Sequence, residues 1–194
     1  LWKSDGTEPG TTMVRDINSG SASSSPSDLV AIGSTLFFFA TEAAAGRELW
    51  KSDGTPSGTV PVLDLVPGAG GSAPTRLVAF GSNLVFYAND GVHGLEPWLS
   101  DGSEAGTGMI GDFNPGAADG VASGYGYGPR VVAGALYLSI DDGATGFDPW
   151  ISDGTAAGSS RIADLAAGVG DGRLPSYESA TSGVADGGRE LVSL

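Results

Sequence analysis

Two kinds of apolar segment alternate along this chain, separated by clusters of turn residues. The longer kind is clearest at residues 29–39 and 77–87, where two apolar runs flank the pairs Gly33-Ser34 and Gly81-Ser82. Each reads as strand, tight turn, strand. A third copy spans 131–138, and a degenerate fourth spans 184–192. The shorter kind is built around tryptophan. Trp2, Trp50, Trp98 and Trp150 are the only tryptophans, spaced 48, 48 and 52 residues apart. Self-similarity at this period predicts a repeat architecture, and it makes a residue that recurs four times architectural before it is catalytic.

Counted from each Trp as zero, Ser stands at +2, Asp at +3, Gly at +4, Thr or Ser at +5 and Gly at +8. Position +12 is β-branched, +14 is Asp (Asp16, Asp64, Asp112, Asp164) and +15 is apolar (Ile17, Leu65, Phe113, Leu165). Upstream, acids stand at −8 (Glu42, Asp90, Asp142) and at −2 (Glu48, Glu96, Asp148). The block reads as a β-hairpin: a strand carrying the Trp, a turn in which Asp supports an Asx-type bend and Gly takes positive φ, and a return strand. A loop centred near +6 sets Trp opposite +12, an aromatic facing a β-branched residue. The same register sets the −2 acid opposite the +14 acid. Pro97 and Pro149 directly precede Trp, and since proline cannot donate to a ladder they place the Trp strand at a sheet edge.

Two strand pairs per period make four short antiparallel strands, the pattern of a β-propeller blade. The expected fold is all-β, a single repeat domain over 1–194 with four four-stranded units at about 1–47, 48–95, 96–147 and 148–194. It is either a closed four-bladed ring, with 1–18 meeting 175–194, or an excerpt of a larger one. A β-solenoid is the alternative, placed second because solenoid coils are shorter.

Composition narrows the partners more than the fold. The chain has 194 residues, 40% of them hydrophobic, enough to build a core. A net charge of −14 repels phosphate backbones, so nucleic acid is not an expected partner. No run is long enough for a membrane-spanning helix, so membrane insertion is not expected either. The absence of Cys removes disulfides, thiolate catalysis and Cys-type zinc sites together. The chain opens in mid-repeat without Met, so it reads as a piece of a longer protein, with further repeats of the same parent chain as neighbours.

The stretch Glu48-Leu49-Trp50-Lys51-Ser52-Asp53-Gly54-Thr55 carries a resemblance to the bacterial ELWxxDGT repeat family. Residues 1–7 fit the pattern without its leading Glu, 96–103 depart at Pro97 and Ser103, and 148–155 depart at Asp148 and Pro149. The resemblance implies a large bacterial protein of many repeats, secreted or attached to the cell surface, with a propeller-like fold. It implies location and architecture more than an activity. A weaker likeness to the Asp-box turn of sialidase-type propellers fails on order, because there the aromatic follows the Asp and here it precedes it.

The +3 acids, Asp5, Asp53, Asp101 and Asp153, have two readings. As turn residues their carboxylates accept N–H bonds across the Asp-Gly-Thr loop. As ligands they belong with the acids of the expected register, Glu48 with Asp64, Glu96 with Asp112 and Asp148 with Asp164. Calcium, which takes six to eight oxygens, is then the ion, and no other cofactor is indicated. Ligand binding is expected where the repeats differ, foremost in the insertion at 119–128 with Tyr125 and Tyr127. His93 is the only histidine and lies in a loop, and no nucleophile or single acid pair stands out. No catalytic residue is therefore nominated. The expected function is a non-enzymatic extracellular or cell-surface module for adhesion, scaffolding or binding of a protein or glycan ligand. A calcium-stabilised surface module and the propeller part of a glycan-active enzyme are the alternatives.

Overall fold

The computed structural model describes residues 1–122 and 128–165. The expected strand pair at 184–192, the ring closure with 175–194, and Tyr125 and Tyr127 lie outside the described residues. What is described is all-β, with fourteen strands and no helix. A two-stranded hairpin, β1 (Trp2–Lys3) and β2 (Thr12–Met13), comes first. Three four-stranded antiparallel meanders follow. The first holds β3 (Ser27–Ile32), β4 (Thr35–Glu42), β5 (Gly46–Ser52) and β6 (Val60–Pro61). The second holds β7 (Thr75–Phe80), β8 (Asn83–Asn89), β9 (Leu95–Ser100) and β10 (Thr107–Met109). The third holds β11 (Arg130–Val132), β12 (Ala135–Asp141), β13 (Phe147–Ser152) and β14 (Ser160–Arg161). Each meander takes its first two strands from a long apolar pair and its last two from the Trp hairpin that follows. A sheet therefore straddles the junction between sequence units.

The structure corrects two details of the expected hairpin. The Trp strands β5, β9 and β13 are third of four and paired on both sides, not edges. The prolines fit because their backbone faces the short fourth strand. The carbonyls of Pro97 and Pro149 accept the N–H of Ile110 and Ile162 at 2.8 Å each, so the missing donor falls just past the last residue of β10 or β14. The register also differs by one residue. Trp lies opposite +11 in all four copies: Met13, Pro61, Met109 and Arg161. The β-branched +12 residue instead donates its N–H to the −1 carbonyl, as Val14 does to Leu1 at 2.9 Å and Val62 to Leu49 at 2.8 Å. The −2 acid consequently does not face +14 across the ladder, because the ladder has ended before +14.

The sheets stack face to face, which explains why β4 and β8 are continuous apolar runs and not alternating ones: both of their faces are covered. Phe37, Phe39 and Leu49 of the first meander pack with Leu84, Phe86, Ala88 and Trp98 of the second. From the opposite face of the second, Val85 and Tyr87 pack with Leu136, Leu138 and Ile140. Phe38, Ala40 and Trp50 meet Ile17 under the first hairpin. Each Trp thus faces the sheet before its own. Trp50 and Trp98 are 1% and 7% exposed, whereas Trp2, with no preceding sheet among the described residues, is 65% exposed. The apolar +15 residue packs toward the Trp one repeat on, as Phe113 does edge-to-face on Trp150 at 5.4 Å. The first strands converge, β3 lying beside β7 and β7 beside β11. The array is not closed among the described residues.

Candidate functional site

The Asp-Gly-Thr turn has one hydrogen-bond plan, executed four times. Asp53 Oδ1 accepts the Thr55 N–H at 2.8 Å and the Thr55 hydroxyl at 2.7 Å. Thr55 Oγ1 in turn accepts the Gly58 N–H at 3.0 Å. Asp5 with Thr7, Asp101 with Ser103 and Asp153 with Thr155 repeat the arrangement. The hydroxyl and the amide hold each of these exposed carboxyls below the usual carboxylate range. The glycine at +4 takes φ of +84 to +94 in all four copies, a region that β-carbon-bearing residues avoid. The glycine at +8 is required for a different reason: a Cβ at Gly10, Gly58, Gly106 or Gly158 would overlap the turn carboxylate.

Beneath the turn, the +2 and +9 hydroxyls close the loop. Ser52 and Thr59 lie 2.8 Å apart, and Ser4–Thr11, Ser100–Thr107 and Ser152–Ser159 match them. This pair fixes the observed register, since +2 opposite +9 implies Trp opposite +11. Neighbouring turns are also fastened together. Lys3 Nζ donates to the Gly54 carbonyl at 2.9 Å, and Lys51 Nζ to the Gly102 carbonyl at 2.8 Å. These contacts were legible only as recurrences, Ser at +2 and a hydroxyl at +9 in every copy.

The −2 acids do a different task at the other end of the Trp strand. Glu48, Glu96 and Asp148 are all buried, and each accepts bonds from a connecting loop. Glu48 takes the Ser72 N–H at 2.7 Å and the Ser72 hydroxyl at 2.5 Å. Asp148 takes the Leu165 N–H at 3.0 Å and the Thr145 hydroxyl at 3.0 Å, with Arg161 Nη1 at 3.4 Å. Glu96 accepts the Phe113 N–H at 3.3 Å through Oε2. Gly120 stands where Ser72 stands one repeat earlier, and Glu96 Oε1 has no hydrogen-bond partner among the described residues. Burial pushes the Glu96 carboxyl up to about 7 and raises that of Glu48 as well, with Asp112 and Asp64 respectively adding like-charge repulsion.

Seven of the ten acids nominated from sequence thus fall into two groups. Asp5, Asp53, Asp101 and Asp153 are exposed turn residues, while Glu48, Glu96 and Asp148 are buried loop anchors. Asp64 and Asp112 come close enough to Glu48 and Glu96 to act on them electrostatically, and Asp164 is exposed. Among the described residues no three His, Cys, Asp or Glu side chains gather as a metal-holding cluster. His93 is tied to its own loop, Nδ1 lying 2.7 Å from Asp90 Oδ2, and that bond raises its pKa.

No family model, curated protein or solved structure matches the chain. No helix among the described residues is long and apolar enough to cross a membrane.

Proposed function

We propose that the chain is part of a β-propeller-like array of the ELWxxDGT type, a non-enzymatic module outside the cell or on its surface that binds a protein or glycan. The propeller reading is supported by the convergence of β3, β7 and β11, by the meander order of each sheet, and by the face-to-face stacking of one sheet on the next. One observation carries the functional reading. The recurrent turn acids make the same internal bonds in every copy, so the most conspicuous chemistry of the sequence serves the hairpin. Recognition then belongs to positions where the repeats differ. The test is binding of the purified chain to a panel of polysaccharides and surface proteins, with product release followed in parallel. Binding without turnover, lost on changes in the inter-sheet connections, is the expected result. Turnover that disappears with one acid pair would place the chain among glycan-active enzymes instead.

A calcium-dependent module is the second reading, and one feature favours it. Glu96 Oε1 and Asp112 Oδ1 are both buried without a hydrogen-bond partner among the described residues, on two carboxylates that repel each other. A cation bound by these carboxylates would relieve that repulsion. A metal binding only the folded state at 100 times its dissociation constant adds about 2.7 kcal/mol. Melting that falls in chelator for the native chain but not for Glu96→Gln would establish this reading. Identical melting with calcium and chelator would end it.

A further inference from the structure

We propose that Arg76 and Arg130, together with Asp28, form a binding site for a hydroxylated carboxylate, the chemistry of a sugar acid. The site lies where β3, β7 and β11 converge. There a cavity of about 190 Å³ is lined by Asp28, Arg76, Leu77, Val78, Pro129 and Arg130. It rests on the reading that recognition sits where repeats differ, and here they differ sharply. By strand register Asp28, Arg76 and Gly128 are equivalent, and Arg130 takes the place of Val30 and Val78. Two of the chain's nine cationic side chains, set against 23 acids, therefore meet at one cavity by departing from the repeat.

The backbone at this point is strained. Asp28 and Arg76 have φ of 51 and 65, left-handed values that non-glycine residues seldom adopt. Both sit in the register shifts that interrupt the β3–β4 and β7–β8 ladders. A bulge re-aims the side chain it carries, and strain of this kind concentrates at binding sites. Tyr87 is fully buried and close enough for both guanidinium groups to act on its hydroxyl.

The lining specifies the ligand. A guanidinium grips a carboxylate through paired N–H bonds, and it does so better than a point charge. Asp28 Oδ2 already accepts the Ser27 hydroxyl, and its other oxygen, which can only accept when ionised, calls for a hydroxyl on the same ligand. Leu77, Val78 and Pro129 offer apolar surface to the C–H face. The volume of about 190 Å³ gives room for a single sugar ring.

The experiment is titration calorimetry of the 194-residue chain with D-glucuronate, glucose and sodium sulfate. Saturable binding of glucuronate is expected, with no binding of glucose, and with sulfate at least about tenfold weaker because it offers nothing to Asp28. Arg130→Gln, a change at an exposed residue, should weaken glucuronate by about tenfold or more while the melting temperature stays fixed. Arg76→Gly, which suits the left-handed backbone, should weaken it likewise and keeps the test valid if Arg130→Gln folds poorly. No saturable binding, glucose or sulfate binding as tightly as glucuronate, or unchanged affinity in folded variants would overturn the proposal. A chain that fails here yet still binds a member of the polysaccharide or protein panel would lose only this site, not its role as a binding module.

Discussion

Replacing the same motif residue in two copies separates the hairpin's own contribution from that of its neighbour. Trp50 is 1% exposed, lies directly opposite Phe38, has the Arg15 guanidinium 5.7 Å from its ring centroid, and shares a buried cluster with Ile17. A fully buried Trp covers roughly 200 Å² or more, and truncation to Ala costs about 3–5 kcal/mol. For a chain of this length each kcal/mol moves Tm by about 2–4 °C, so Trp50→Ala should lower it by roughly 6–20 °C. Trp2 occupies the same position but is 65% exposed. Only about a third of its surface is at stake, so Trp2→Ala should cost about 1–2 kcal/mol and a few degrees. Thermal melts read by far-ultraviolet circular dichroism measure both. Acrylamide quenching adds a check, since only the Trp2 variant should remove readily quenched fluorescence. Equal destabilisation by the two changes would refute the reasoning: the Trp would then stabilise its own hairpin and owe nothing to the preceding sheet.

Gly58→Ala should lower the melting temperature of the native chain yet have little further effect in an Asp53→Ala background, because the added Cβ harms the turn through that carboxylate; a double-mutant cycle with additive effects would contradict this. Stability should fall as pH rises from about 4.5 to about 7, since the folded Glu96 carboxyl holds its proton to higher pH than the unfolded one does. The upper bound on this effect is about 3 kcal/mol, and denaturant titrations across that pH range should show Glu96→Gln with a flatter profile. Ser72→Ala should destabilise the first junction between meanders, because it removes the hydroxyl that Glu48 accepts in a buried setting; the expected loss is about 1–2 kcal/mol by denaturant titration.

What could be read from the sequence is what is decided locally. The apolar pairs at 29–39 and 77–87 and the Ser-Asp-Gly-Thr turns declare strands and bends through neighbouring residues alone, and both are present. The register was not legible, because it depends on a hydroxyl pair seven residues apart, Ser52 with Thr59, whose meaning emerges only once the loop is closed. Pro97 announces a missing donor but not the side on which it is missing, so the sequence points to an edge where the structure has the third of four strands. The partition of the acids was hidden for a tertiary reason: Glu48 and Glu96 differ from Asp53 and Asp101 in being covered by loops that begin far along the chain, at Ser72 and Phe113. The Arg76–Arg130 cavity needed the convergence of three sheets, which no single repeat encodes.

Each meander borrows half its strands from one sequence unit and half from the next, and this has a consequence for how such a gene can change length. A crossover between two copies, wherever it falls within the unit, rejoins a first strand pair to a Trp hairpin of the same design. The lysine rung from one turn to the next spans 51 residues in both places it occurs, Lys3 to Gly54 and Lys51 to Gly102. The four extra residues between Trp98 and Trp150 are absorbed between Met109 and Arg130, away from both hairpins. Whole units can therefore be gained or lost by unequal recombination with every seam rebuilt from the same parts, while insertions accumulate in the connections without disturbing the pitch.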